Sequence, residues 1–234
     1  MKKSNKVQLL IFLLLVPATL MLGAQLPGRW YYLTSTLMIM ELLVPFFLAF
    51  EGRKPQAREL VLLAVMCALA VAGRVAIPVP NFKAIFGIIM ITGIAFGPES
   101  GFLVGAVSAL SSNFFFSQGP YTPWQMMAYG AGGMLAGFLF RQCRLPRKPL
   151  LMGIVGFILV LLVVGPLMDT CTLFLAPVTL RWSTVVAIYG SGMMVNISHA
   201  VSTFVVLFLL ANPLLGKLER VQRKYGMLGD TERC

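Results

Sequence analysis

Pro149-Leu-Leu-Met-Gly-Ile-Val-Gly-Phe-Ile-Leu-Val160-Leu-Leu-Val-Val-Gly-Pro-Leu-Met168 runs for twenty residues without one charged side chain. As a helix it rises about 30 Å, the thickness of a bilayer's hydrocarbon core. Working outward, comparable apolar runs occupy 7–25, 31–50, 59–77, 84–97, 100–117 and 123–140 on one side and 184–211 on the other. Only short polar breaks separate them. The fourth run is short and is expected to tilt little or to be shielded by protein. Across 234 residues the chain is 58% hydrophobic and 12% charged, against about 25% charged for a soluble domain. No room remains for a soluble catalytic domain.

The net charge of +11 could suggest a nucleic-acid partner, but its distribution excludes that reading. Lys2, Lys3 and Lys6 precede the first run. Arg53, Lys54 and Arg58 follow the second, and Arg141, Arg144, Arg147 and Lys148 follow the sixth. Lys217, Arg220, Arg223 and Lys224 follow the eighth. An even number of spans puts all four clusters on one side, the cytoplasm, while the opposite loops hold Arg29, Lys83 and Arg181. The expected fold class is therefore all-α integral membrane, with about eight spans, both termini cytoplasmic, multi-pass in the cell membrane. The first run could also be read as a signal peptide, with Gly23-Ala24-Gln25 a weak cleavage site, and is read as a retained helix.

Glu51-Gly-Arg-Lys-Pro55 marks a joint. It divides an N-terminal transmembrane hairpin, 1–54, from a six-helix substrate-binding body, 58–216, and a tail, 217–234, reads as an amphipathic extension on the cytoplasmic surface. Cys67, Cys143, Cys171 and Cys234 have no CxxC or Cys/His spacing, and the chain holds one histidine, so no metal site or cofactor is expected. There is no GxxxxGK[ST] phosphate loop, so ATP binding through a Walker motif is not expected.

Several patterns carry functional weight. Ala64, Ala68, Ala72 and Ala76 recur every fourth residue and share a helix face. Small residues at that spacing let a second helix approach closely, either within the chain or on a separate subunit. Gly93, Gly97, Gly101 and Gly105 form a second stripe, which crosses the Gly97-Pro98 turn, and Gly130, Gly133 and Gly137 a third. Both read as internal packing.

The segment from Asn113 to Gln125 combines aromatic rings with amides and hydroxyls, notably Phe116, Gln118, Tyr121 and Trp124. It reads either as an interfacial aromatic belt or as a surface for a flat polar molecule. Ionisable groups within the runs are Glu41, Arg74, Asp169 and His199, expensive in hydrocarbon and functional candidates for that reason. Arg74 and Asp169 fall near outer helix ends, where they can pair, line a cavity or snorkel. Glu41 shows no partner in the sequence. Asn196 and His199 lie three apart on one face, as interhelical links or ligand contacts. A Ser191–His199 catalytic pair fails on geometry: eight helical residues separate them by about 12 Å, against about 3 Å for a working pair.

The block Phe96-Gly-Pro-Glu-Ser-Gly101 through Asn113-Phe-Phe-Phe-Ser-Gln-Gly-Pro-Tyr-Thr-Pro-Trp124-Gln-Met resembles the substrate-binding S components of energy-coupling factor (ECF) vitamin transporters. Asn196-Ile-Ser-His199-Ala and Leu218-Glu-Arg-Val-Gln-Arg-Lys-Tyr225-Gly are similar to the same group, and the alanines at 64, 68 and 72 look like its small-residue motif. The resemblance covers 58–225; the N-terminal hairpin departs from it. It implies a non-enzymatic capture subunit of an ABC-type importer, taking a vitamin from outside with a lean toward cobalamin or related corrinoids. The partners it implies are a membrane scaffold subunit and, through it, two cytoplasmic ATPases. The competing reading is a stand-alone secondary transporter of a small organic solute. Pro17, Pro45 and Pro166 interrupt runs without the repeat symmetry such transporters show.

Overall fold

The computed structural model describes residues 56–175 and 181–225, with isolated positions between 18 and 48. Six helices make up the described body: α1 (Ala57–Val75), α2 (Ile85–Phe96), α3 (Pro98–Phe116), α4 (Thr122–Gly137), α5 (Pro149–Leu175) and α6 (Trp182–Lys224). Among the described residues the secondary structure is all helical. Each helix overlaps one of the last six apolar runs. Helices α5 and α6 are long and apolar enough to cross a membrane.

α2 is the central post. Its twelve residues are all buried, and at about 18 Å it is too short to cross a ~30 Å core alone. Being apolar all round, it must be enclosed by other helices, and it packs on α1, α3, α4 and α6. The next turn is abrupt. Gly97 takes φ 105°, a region closed to most residues, and Pro98 opens α3 as an N1 proline with no N–H to leave unpaired.

The two glycine stripes meet in one seam. A Cβ on Gly133 would strike the Gly101 carbonyl and lie 2.7 Å from Ile89 Cγ2; one on Gly137 would lie 2.9 Å from Pro98 N. One on Gly105 would lie 2.6 Å from the Tyr129 carbonyl carbon. The backbones of α2, α3 and α4 thus touch directly, the packing that small residues permit where hydrocarbon offers no hydrophobic drive.

Pro166 lies inside α5 and has no N–H to donate. The helix accommodates it by widening into a π-turn over Val160–Val164 immediately before Gly165. α6 is 43 residues, about 64 Å, and runs without interruption through Pro213 across the expected 216/217 boundary. Leu215, Leu218 and Gln222 on its last turns are buried against the body, while Lys217, Arg220, Arg223 and Lys224 are exposed.

Three of the four basic clusters converge at one end of the bundle. Arg58 donates to the Tyr225 carbonyl at 3.3 Å, Arg147 pairs with Glu219 at 2.8 Å, and both Arg141 and Gln222 (3.2 Å) donate to the Ala95 carbonyl at the end of α2. The Lys2–Lys6 cluster lies outside the described residues. Glu41 has a partner that the sequence did not reveal: Thr19 Oγ1 donates to its carboxylate at 2.8 and 3.0 Å. Phe47 packs edge-on against Phe102 of α3 at 6.4 Å, and the rest of the expected hairpin lies largely outside the described residues.

Substituting Gly133→Ala should destabilise the protein by about 1–3 kcal/mol through overpacking. Gly190→Ala, where a Cβ meets nothing within 4 Å, should be neutral or slightly stabilising. Thermal unfolding of the detergent-purified variants measures both; equal midpoints would contradict the seam.

Candidate functional site

At the end opposite the basic convergence, the bundle opens around a cavity of about 440 Å³. Its walls come from α1 and the α1–α2 loop (Arg74, Asn81, Lys83), from α2 and α4 (Phe86, Gln125, Tyr129), and from α5 and α6 (Asp169, Asn196, His199). Phe116 closes it from the end of α3. The volume suits a small organic ligand, and the mixture of rings with a few converging polar groups is typical of a binding site.

The polar groups are held in place by named bonds. Arg74 donates to Ser112 Oγ and, at 2.9 Å, to Asn113 Oδ1; its guanidinium lies 4.8 Å from the Phe116 ring centroid and 5.7 Å from that of Tyr129. Asn113 in turn donates to Gln125 Oε1 at 2.7 Å and Thr122 Oγ1 at 3.2 Å. Lys83 donates to the Ile77 carbonyl, and its own carbonyl accepts from Ser202 Oγ at 2.8 Å, tying the α1–α2 loop to α6. On the far wall Asn196 Nδ2 donates to Asp169 Oδ2 at 2.8 Å. His199 meets Phe86 edge-on at 5.3 Å, and its Nδ1 is buried with no hydrogen-bond partner.

Six residues singled out from sequence front this cavity together: Arg74, Phe116, Gln125, Asp169, Asn196 and His199. The other four do not line it. Asn113 stands behind the wall, fully buried, as the hub joining Arg74 to Gln125. Gln118 bonds the Leu110 carbonyl at 2.9 Å and Thr122 at 2.9 Å, and Tyr121 bonds the Ser117 carbonyl at 2.7 Å, so both brace the α3–α4 loop. Trp124 is buried and stacks on Phe174 at 5.6 Å. The aromatic–amide segment is therefore mostly scaffold, with two of its side chains reaching the ligand space.

The sequence reading passed over Lys83, Phe86, Tyr129 and the α5 and α6 positions beside Asp169 and Asn196. Helical spacing from residues already chosen finds most of them. Tyr129 is four after Gln125; Gly165, Met168 and Thr172 share the Asp169 face; Gly192 and Val195 share the Asn196 face.

The alanine stripe is elsewhere and faces outward. Ala64, Ala68 and Ala72 are exposed, flanked by exposed Val61, Val65 and Leu69, while Leu63, Met66 and Ala70 of the same helix face the core. Packing within the described body does not use this face.

A six-helix body with a ligand cavity at one end and a small-residue face on its first helix describes a membrane solute-binding subunit. A family model described as "ECF-type riboflavin transporter, S component" matches residues 54–215, more than half of the chain. The chain belongs to that family, which is one of transporter subunits and not of enzymes. Searches of curated proteins and of solved structures found no match.

Asn113→Leu should cost about 1–3 kcal/mol, because it strips one bond from half-buried Arg74 and leaves Gln125 unpaired. Gln118→Leu, in the exposed loop, should cost less than about 1 kcal/mol. Thermal unfolding without ligand compares them, and equal losses would remove Asn113 from its hub position.

Proposed function

We propose that this chain captures a flavin-type vitamin at the outer face of the cell membrane and delivers it through a partner complex that supplies the energy. The observation that carries this reading is the cavity: aromatic walls from Phe86, Phe116 and Tyr129 with converging Arg74, Gln125, Asp169, Asn196 and His199. Flat, polar heterocycles stack and hydrogen-bond in such surroundings. The family's description names riboflavin, and the volume agrees with a ligand of that size. The corrinoid lean gives way here. A corrinoid has roughly three times the non-hydrogen atoms of a flavin and overfills a 440 Å³ space.

The outward alanine face of α1 supports docking onto a membrane scaffold subunit that carries two cytoplasmic ATPases. Tight helix contact in lipid requires small residues, and Ala64, Ala68 and Ala72 are exposed on the described body. Eight spans with both termini cytoplasmic remain the topology that best accounts for the basic clusters. In that arrangement the Arg58, Arg141 and Arg147 end is cytoplasmic and the cavity end faces outward, where the solute is scarce. The N-terminal hairpin, 1–54, is an addition to the body, joined to it at least through Phe47 and Phe102.

Mass spectrometry of small molecules released from the detergent-purified chain tests the ligand. Riboflavin is the expected species, and a co-purified corrinoid would overturn the flavin reading. Ala68→Trp should reduce vitamin uptake by cells to background while the purified variant binds riboflavin with unchanged affinity. Loss of binding in parallel with uptake would remove the docking role.

A further inference from the structure

Away from the ligand cavity, α5 and α6 leave a second hollow between them, about 310 Å³ in volume. Its walls are Ile154 and Phe157 of α5 with Val201 and Phe204 of α6, all apolar. Gly153 makes room for one wall: a Cβ there would lie 2.9 Å from Phe204 Cδ2, so glycine lets that ring settle against α5. Phe208 stacks on Phe204 at 5.9 Å and extends the apolar surface toward the basic end. Ile154, Val201 and Phe208 are exposed, on helices long and apolar enough to cross a membrane.

The face that carries this groove changes character toward the basic end. Val201, Phe208, Asn212 and Glu219 recur at spacings of seven, four and seven, which places them along one side of α6, and Arg223 follows one turn later. Asn212 lies about 16 Å along the helix from Val201, close to half the thickness of a ~30 Å hydrocarbon core. Glu219 is taken up by Arg147 at 2.8 Å. The side chains of Lys148, which immediately precedes α5, and Arg223 are exposed and have no ion-pair or hydrogen-bond partner among the described residues. An apolar slot about one leaflet deep thus ends at uncompensated positive charge.

A bilayer supplies a molecule with that pattern, an acyl chain joined to an anionic head. Other occupants fit less well. What is described of the N-terminal segment touches α3 and the α3–α4 loop, through Phe47 on Phe102 and Thr36 on the Pro120 carbonyl. The small-residue face belongs to α1, which packs on α2 and α3. A second copy in the same orientation would bring its own cations against Lys148 and Arg223. We propose that the α5–α6 groove binds one anionic phospholipid of the leaflet at the basic end. One acyl chain lies between Ile154, Phe157, Val201 and Phe204. The phosphate meets Lys148 and Arg223, and the Asn212 amide donates at the level of the glycerol esters. The site is independent of the ligand cavity and of what that cavity binds.

Native mass spectrometry of the detergent-purified full chain tests this, with phosphatidylglycerol and phosphatidylcholine of identical acyl chains as probes. Phosphatidylglycerol should bind about tenfold or more tightly, since each cation near the headgroup contributes about fivefold. The double variant Lys148→Gln, Arg223→Gln should bring the two lipids within about threefold of each other. Val201→Trp fills the slot and should abolish retention of both. Val186→Trp, the same change at an exposed position near the other end of α6, should leave both unaltered. Equal wild-type affinity for the two lipids would overturn the headgroup contact, and with it the site. Binding that survives Val201→Trp, or that Val186→Trp removes as well, would overturn the groove as the place of the acyl chain. A chain of doubled mass that Val201→Trp dissociates would overturn the lipid reading by making this face an interface between copies. If Val201→Trp does not fold, Ile154→Trp on the facing wall serves in its place.

Discussion

The structure depends on direct backbone contact among α2, α3 and α4. Hydrocarbon gives helices no hydrophobic reason to associate, so cohesion must come from packing at close range. Gly101, Gly105, Gly133 and Gly137 supply that range by having no side chain to hold the helices apart. The seam lets α2 stand inside the bundle with all of its residues buried, although it is too short to cross a bilayer by itself.

Once α2 is fixed, its two ends do different work. The end at Ala95 offers a carbonyl that Arg141 and Gln222 share, drawing the end of α4 and the last turns of α6 together at the basic end. The end at Ile85 and Phe86 forms part of the ligand cavity. The buried post thus joins the basic end of the bundle to the cavity end. The alanine face of α1 is separate from both.

The α5–α6 wall shows how a helix irregularity becomes part of a site. Pro166 forces a π-turn, and the displaced segment places Val160, Val164 and Gly165 in the cavity lining. Gly165 then admits Asn196, and Gly192 admits Asp169. Breaks of this kind are tolerated at membrane depth where protein or a cavity surrounds them.

Apolar length and the position of the basic residues determined, without any coordinates, that the chain is helical, where its last six helices lie, and that Arg58, Arg141, Arg147 and the end of α6 belong together. These properties are one-dimensional: a helix satisfies its own backbone, and charge placement follows the chain. The same holds for the glycine stripes, whose spacing alone marks close packing. Which polar residues face one another could not be read that way. Gln118, Tyr121 and Trp124 looked like ligand contacts by composition, yet in three dimensions they are consumed by bonds within the loop or by Phe174. Lys83, Phe86 and Tyr129 carried no motif and entered the cavity because helix rotation pointed them there. Tertiary packing made that decision, since a side chain's direction depends on the rotation of its helix against neighbours that are distant in sequence.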